Sequence, residues 1–338
     1  MNQTNKIIRT ICLFSQKPDK AAADKLNQLA DRLIKSGFVV QTKRLCSKNL
    51  GINEIESKIA DTSIILGLGS LVQEQINLEE FFSSQRVFFN LDLTSQIIDL
   101  KPVEFLFKIV NQKPAKTFNF TYVFNHTVSS PFFPSAVYDK DGFSIGLQPT
   151  NLSENCQSLD DWFNKLTAAY QELMGIFKTE PNFLGIDSSI APLYQGKSSL
   201  VNFVKRLNPS FPESVTTDFY LKITNFIKQN NPKPIGLCGL MLPCLEDFEL
   251  AEEYEKGEFS LERNIFLSLH SGLGIDTYPL GIDENPERVV AILQLVQLLA
   301  RKHNKSLSCR FVSDGKAKIG EKTDFKNQYL KDVVVRKI

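Results

Sequence analysis

The chain has 338 residues, of which 42% are hydrophobic and 23% are charged, and its formal net charge at pH 7 is +1. This composition is typical of a globular protein that can bury a sizeable core. The near-zero net charge argues against a surface dedicated to nucleic acid or to a membrane.

The amino-terminal residues and the cysteines predict the compartment. The first 15 residues hold a short apolar run and no small-residue cleavage site, so we expect no signal peptide. No stretch approaches the roughly 18 apolar residues of a membrane span. The 6 cysteines lie mostly in strand-like runs, as reduced thiols do, and have no metal-binding spacing. We expect a cytoplasmic protein with no metal site and with no nucleic-acid or membrane partner. The cofactor stays open, as does assembly into a homo-oligomer.

The first half of the chain alternates strand-like and helix-like patterns. We predict strands at residues 7–15, 38–46, 63–68, 87–91 and 118–125. Helices are predicted at residues 20–36, 53–61 and 97–110, with a further helix after residue 71. Pro102 should begin a new helical turn or kink the last of these helices.

The rhythm changes after residue 125. A segment of 15 residues, HTVSSPFFPSAVYDK, leads to a sixth strand at residues 143–148 without a helix between them. The fifth and sixth strands therefore either pair antiparallel or flank a long functional loop. Within this loop, Phe132 and Phe133 either form the wall of a pocket or plug the core.

The second half of the chain returns to alternation. Strands are predicted at residues 183–187, 235–242, 274–280 and 307–312, with a last edge strand at residues 333–335. Helices are predicted at residues 158–178, 198–207, 217–229, 252–255, 261–269 and 285–302. About ten strands with mostly helical connections predict a parallel-rich α/β fold, in which residues 1–338 form one domain and the sheet closes into a barrel.

Polar residues follow several of the predicted strands. These residues are Asn125, Asp187, Glu246, Asp276 and Arg310. Right-handed crossovers would bring the carboxyl ends of parallel strands to one mouth, where such side chains could converge. The alternative is that they are unrelated turn residues, because Asp and Asn favour turns in any protein.

The segment APLYQGKSS, residues 191–199, fits a relaxed phosphate-binding loop with Lys197 in the cradle. Two observations oppose this interpretation: Pro192 lacks an amide donor, and no second aspartate strand for magnesium can be placed. A simpler interpretation is that Ser198 caps the following helix, beside a bound anion or without one.

Several motifs together resemble the uncharacterised family called domain of unknown function 711. They are PFFPSA, FLGIDSSIAPL, CGLMLPCLED, SGLGIDTYPLGID and CRFVSDGKAKIGEKTDF. The resemblance implies a ten-stranded α/β barrel similar to those of pyruvate formate-lyase and ribonucleotide reductase, and it implies no particular reaction. Cys244 and Gly315 depart from the spacing that glycyl-radical chemistry needs, so we do not expect that chemistry.

We therefore expect a barrel that binds a small polar or anionic metabolite at its mouth. Glu246 or Asp276 would act as general base, with Arg310 as electrostatic clamp. The expected ligand-binding residues are Asn125, Phe133, Pro134, Asp187, Thr216, Thr217, Cys244 and Arg310. The two alternatives are a non-catalytic metabolite sensor and a nucleotide hydrolase that uses Lys197.

Overall fold

One ten-stranded sheet runs through the computed structural model, which describes residues 6–125, 127–208 and 210–338. Its strands are β1 (Lys6–Phe14), β2 (Phe38–Val40), β3 (Lys43–Cys46), β4 (Ile64–Leu71), β5 (Val87–Asp92), β6 (Phe120–Phe124), β7 (Gly142–Leu147), β8 (Phe183–Asp187), β9 (Gly274–Pro279) and β10 (Leu307–Val312). The helices are α1 (Lys20–Lys35), α2 (Ile52–Lys58), α3 (Leu78–Ser83), α4 (Lys101–Gln112), α5 (Leu159–Ile176), α6 (Leu200–Leu207), α7 (Phe211–Ser214), α8 (Phe219–Asn230), α9 (Phe248–Lys256), α10 (Leu261–Ser268) and α11 (Pro286–Lys302). The fold is mixed α/β, as predicted.

The sheet consists of two parallel halves that run in opposite directions. The strand order is β8-β7-β1-β3-β4-β5-β6-β10-β9, and β2 pairs with β1. Strands β1 to β6 are parallel to one another, whereas the contacts β1/β7 and β6/β10 are antiparallel. The carboxyl ends of the strands in one half therefore lie at one end of the sheet, and those of the other half lie at the opposite end. The prediction that Asn125 shares one mouth with Asp187 was wrong, because Asn125 follows β6 whereas Asp187 ends β8.

Residues 234–244, here called the bridging segment, replace the strand predicted at 235–242. They form isolated parallel bridges with both edge strands or their extensions: Ile186 with Pro234, Ile190 with Leu240, Leu240 with Gly272, and Pro243 with Asp276. The prediction of a regular strand was wrong because Gly236 and Cys238 have positive φ angles of 70° and 43°, which interrupt extended backbone. The bridging segment lies between β8 and β9, which do not pair directly in the described sheet.

Two other predicted strands differ from the structure. The strand predicted at 38–46 is divided into β2 and β3, with residues 41–42 between them. The Thr42 hydroxyl donates to the carbonyl of Arg9 at this point. The edge strand predicted at 333–335 is a single antiparallel bridge between Lys322 and Val334. Both segments have strand-like composition, but the pairing partner decides whether a ladder forms.

The helices begin where their capping residues predict. The Ser158 hydroxyl accepts a hydrogen bond from the Asp161 amide at the start of α5, and Asn285 caps α11 ahead of Pro286. Helix α4 starts at residue 101, and Pro102 lies in its first turn rather than at a kink.

The two faces of the sheet have different neighbours. The main hydrophobic core includes Ile11 of β1 together with Trp162 of α5 and Leu293 of α11, so it fills the space between the sheet and the helices. A second, smaller cluster contains Cys12, Phe14, Cys46, Phe133 and Ala136. The alternation along β1 places this second cluster on the opposite face of the sheet, here called the inner face.

Candidate functional site

A cavity of about 350 Å³ lies against the inner face of the sheet. This volume falls at the lower end of the roughly 300–1,000 Å³ that small-molecule sites occupy. Its lining combines strand residues with the loop around Pro134, the bridging segment and Tyr329 from the carboxyl-terminal segment. Tyr329 is 39% exposed, so it lies at the border between the cavity and solvent.

Five charged side chains line the cavity: Arg9, Arg44, Glu246, Asp276 and Arg310. Arg310 binds both carboxylates, with Nη2 at 2.6 Å from Glu246 Oε1 and Nε at 2.6 Å from Asp276 Oδ1. Arg9 Nη2 lies at 3.4 Å from Glu246 Oε2. Three guanidinium groups and two carboxylates leave one positive charge in excess.

The excess charge belongs to Arg44. Its side chain forms no ion pair with any carboxylate that the structure describes, although the residue is only 7% exposed. Its Nη1 donates to the carbonyl of Pro131 at 3.3 Å, and its guanidinium lies 5.0 Å from the centre of the Phe133 ring. Nε of Arg44 and Nε of Arg9 have no hydrogen-bond partner among the described residues. The lining of the cavity therefore holds positive charge, and two of its guanidinium donors are left without a partner in the described structure.

Burial shifts the protonation equilibria of these groups. Loss of solvation raises the pKa of Glu246 above 4.5, and the negative charge of Asp276 adds to this rise while Arg310 opposes it. Burial alone would lower the pKa of Arg310, but its two carboxylate partners more than offset this effect and raise it. Arg310 is thus held as a cation, whereas Glu246 takes up a proton more readily than an ordinary glutamate.

A β-bulge turns Asp276 into the cavity. Ile275 pairs with Cys309 and Tyr278 with Phe311, so two residues of β9, Asp276 and Thr277, oppose one residue of β10. Ile275 and Tyr278 both face the helix-covered core. Thr277 has a φ of 40°, which is unusual for a β-branched residue and costs on the order of 1–3 kcal/mol. Strain of this kind clusters at functional sites.

A second bulge lies at Arg9. Ile8 pairs with Leu147 and Thr10 pairs with Gly146, so β1 contains one residue more than its partner at this point. Ile8 and Ile11 both belong to the helix-facing core. The extra residue therefore lets Arg9 line the cavity without moving its apolar neighbours.

Three phenyl rings form one side of the cavity, here called the aromatic wall: Phe118, Phe88 and Phe133. The Phe88 ring centre lies 6.3 Å from that of Phe118 and 6.1 Å from that of Phe133. Arg310 is 4.8 Å from the centre of the Phe118 ring, and Arg44 contacts Phe133 at the other end. A guanidinium group therefore flanks each end of the aromatic wall.

Five of the predicted site residues line this cavity: Phe133, Pro134, Glu246, Asp276 and Arg310. Phe133 satisfies both interpretations of its loop, because its ring contributes to the wall and is also 8% exposed within the inner cluster. The ring packs against Gly67, where a Cβ atom would lie 2.6 Å from Phe133 Cζ.

Cys244 and Asp187 are fully buried beside the cavity and do not line it. The Cys244 amide donates to the carbonyl of Asp276, and burial raises the pKa of its thiol well above 9.0. Asp187 accepts hydrogen bonds from the amides of Leu237 and Cys238 and so fixes the bridging segment. The roles that the geometry gives these two residues are structural.

Asn125, Thr216 and Thr217 lie away from the cavity. The side-chain amide of Asn125 donates to the carbonyl of Ala300 at the end of α11. The hydroxyls of Thr216 and Thr217 donate to backbone carbonyls of the preceding turn. Asn125 follows β6, a strand of the first half, and the carboxyl end of β6 lies at the end of the sheet opposite to the carboxyl end of β8. The two threonines belong to the connection between α7 and α8.

The geometry around Lys197 argues against a phosphate-binding loop. Lys197 Nζ lies 3.3 Å from a carboxylate oxygen of Glu154. At the start of α6, the Leu200 amide donates to Asp247, and the Gly196 amide donates to Glu249. Carboxylates therefore hold the amide donors that a phosphate would need.

Arg9 and Arg44 are the site residues that the sequence interpretation missed. Each is a charged residue inside an apolar strand, KIIRTICLF and KRLC respectively. Arginine is rarely buried without a partner, so an arginine inside an apolar strand indicates a charged site, and both positions could have been predicted on this ground. The bulge that turns Arg9 inward is not visible in the sequence, because it depends on the pairing of β1 with β7.

The fold and the site define an α/β protein whose sheet covers an arginine-rich internal cavity of small-molecule size. The chain belongs to the family described as Uncharacterised ACR (DUF711), whose family model matches residues 95–327. No curated protein matches the sequence. Among the described residues, no helix has both the length and the apolar character needed to cross a membrane. The same residues contain no group of three or more His, Cys, Asp or Glu side chains placed to hold a metal ion.

Proposed function

We propose that the protein binds a small organic anion in the cavity and that Arg44 receives its negative charge. The supporting observation is the buried guanidinium of Arg44, which has no carboxylate partner in the described structure. An uncompensated buried charge is unfavourable, and an anionic ligand would remove this cost. The cytoplasmic location belongs to the same proposal and is supported by 6 free, buried cysteines.

We further propose that the sheet closes around the ligand as a barrel of the pyruvate formate-lyase type. Backbone hydrogen bonds support closure on both sides of the bridging segment. The Ile190 amide donates to Gly239 and the Met241 amide to Ile190, while the Leu273 amide donates to Leu240. The two antiparallel halves then enclose the cavity. Because β2 and β3 pair with successive parts of β1 and share one position, the bridging segment is the irregular tenth element of the ring.

Substitution of Arg44 tests the proposal. Arg44→Met keeps the volume and removes the charge, so it should abolish binding of anions. It should also stabilise the ligand-free protein by about 1–3 kcal/mol, because replacing an unfavourable buried charge with an apolar side chain is often stabilising. Isothermal titration calorimetry with acetate, benzoate, succinate and inorganic phosphate measures the first effect, and urea denaturation measures the second.

Arg263→Met is the matched control, since Arg263 pairs with Glu258 at the surface. It should leave anion binding unchanged. Failure of all four anions to bind the parent protein would defeat the proposal. So would binding that survives in Arg44→Met. Mass spectrometry of compounds that co-purify with the parent protein, and not with Arg44→Met, gives an independent measurement.

A second candidate function is catalysis on the bound anion, with Asp276 as general base. Asp276 Oδ1 bonds to Arg310, whereas Oδ2 has no hydrogen-bond partner among the described residues. Both oxygens of Glu246 face arginines, so Asp276 is the better placed of the two predicted bases. Catalysis is supported if the parent protein converts a bound compound and if Asp276→Asn binds the compound without converting it. Tight binding without conversion supports a metabolite sensor.

A further inference from the structure

The arrangement of charge and aromatic rings also restricts the chemical class of the ligand. We infer that the cavity selects a carboxylate with a single negative charge attached to a planar, aromatic body. This inference rests on the proposed function and deepens it. Its three parts, the single charge, the carboxylate and the ring, follow from separate observations.

The charge follows from the balance inside the cavity. Arg310 is fully engaged by Glu246 and Asp276, with both contacts at 2.6 Å. Arg9 shares Glu246, and only Arg44 lacks an anionic partner among the described residues. One negative charge on a ligand therefore makes the cavity neutral. A dianion would leave one negative charge buried, which is unfavourable in a site of low dielectric constant.

The carboxylate follows from the donors. Arg44 Nη1 is directed to the carbonyl of Pro131, and Nε has no partner in the described structure. Nε and Nη2 form the side edge of the guanidinium, and this planar pair of donors matches the two oxygens of a carboxylate. Nη2 of Arg44 has no hydrogen bond to any described residue, so neither donor of this edge is committed to another group of the described protein.

The aromatic body follows from the wall beside Arg44. Phe88 lies between Phe133, which packs under Arg44, and Phe118. A carboxylate on Arg44 would therefore place its carbon body beside Phe133 and Phe88. Aromatic rings gain from offset or edge contacts with other rings beyond simple burial, so an aromatic body should bind about two- to ten-fold tighter than a saturated body of equal size.

A panel of five compounds separates these features: benzoate, benzamide, cyclohexanecarboxylate, acetate and phthalate. Calorimetry on the parent protein at pH 7.5 should place benzoate first. Benzamide, the neutral counterpart, should bind at least about ten-fold weaker because it lacks the charge-assisted contact. Cyclohexanecarboxylate should bind about two- to ten-fold weaker. Acetate has no ring and phthalate carries two charges, so both should bind weaker than benzoate.

Phe88→Leu tests the wall without touching the charges. It should reduce the preference for benzoate over cyclohexanecarboxylate to less than about two-fold, while acetate binding stays within error. Phe82→Leu is the control, because Phe82 contacts Phe81 on α3 and does not line the cavity. Unchanged preference in Phe88→Leu would count against the inference.

The outcomes distinguish the inference from the proposal on which it rests. If phthalate or acetate binds tightest, and Arg44→Met abolishes that binding, the inference is wrong and anion binding stands. Equal binding of benzoate and cyclohexanecarboxylate would show that the ligand needs no aromatic ring. The inference would then be wrong, and anion binding would stand. If no compound of the panel binds but succinate or inorganic phosphate does, the inference fails and anion binding stands. If none of these compounds binds, both statements fail.

Discussion

Asp187→Asn should loosen one wall of the cavity and leave the five charged residues of its lining unchanged. Asp187 Oδ1 accepts from the Ser189 hydroxyl at 2.6 Å, the Ser189 amide at 3.0 Å and the Cys238 amide at 3.1 Å. Oδ2 accepts from the Ser130 hydroxyl at 2.8 Å and the Leu237 amide at 2.9 Å. One buried carboxylate therefore joins β8, the loop around Ser130 and the bridging segment.

The magnitude follows from these hydrogen bonds. Asparagine replaces one acceptor oxygen with a donor, so the Leu237 amide or the Cys238 amide must face an NH2 group. A hydrogen bond to a charged acceptor contributes about 1.5–3 kcal/mol, and a buried unsatisfied donor costs about 1–3 kcal/mol. Together with weakening of the remaining bonds, we expect a loss of about 3–5 kcal/mol in the free energy of unfolding. For 338 residues this corresponds to a fall in Tm of about 4–7 °C.

Two measurements check this prediction. Urea denaturation gives the free energy, and hydrogen exchange of the peptide that covers residues 234–244 should show faster exchange at Leu237 and Cys238. Asp218→Asn is the control, since Asp218 is exposed and its carboxylate pairs, among the described residues, with Lys222 alone; it should change stability by less than about 0.5 kcal/mol. A loss below about 1 kcal/mol for Asp187→Asn, with the peptide still protected, would refute the reasoning.

Two further predictions concern the cavity itself. The pKa of Glu246 is raised above 4.5, so as pH falls through this higher value Glu246 becomes neutral and the excess positive charge grows from one to two. Affinity for benzenesulfonate, whose charge is constant, should therefore rise toward low pH, and Glu246→Gln should remove this dependence in calorimetric titrations; a parent profile flat from pH 4 to 8 would contradict it. Gly67→Ala should displace Phe133, since a Cβ would lie 2.6 Å from its ring, and should destabilise the fold by about 1–3 kcal/mol with weaker benzoate binding. Its control, Gly175→Ala in α5, has no atom within 4 Å of the added Cβ and should stabilise the helix by about 0.5–1 kcal/mol. Equal stability changes in these two variants would show that Phe133 does not depend on Gly67.

The sequence by itself determined the class of fold and the position of most elements. Helix boundaries were predictable at Ser158 and Asn285 because capping is a local interaction between neighbours in the chain. Strands with a continuous apolar run, such as β8, were predictable for the same local reason. Glu246, Asp276 and Arg310 could be predicted as neighbours because each belongs to, or follows, a buried strand-like run, and parallel strands bring such positions together.

Only the tertiary structure decided how these pieces meet. The bridging segment has the composition of a strand, but its backbone follows the carboxylate of Asp187, a partner 50 residues away in the chain. The bulges at Arg9 and Asp276 are defined by the register of paired strands, so no pattern along one strand could reveal them. The direction of the second half of the sheet placed Asn125 at the far edge, because antiparallel pairing at β1/β7 is a property of two segments and not of either one. The folded arrangement of all five charges therefore decided that Arg44 is the cavity arginine without a carboxylate partner among the described residues.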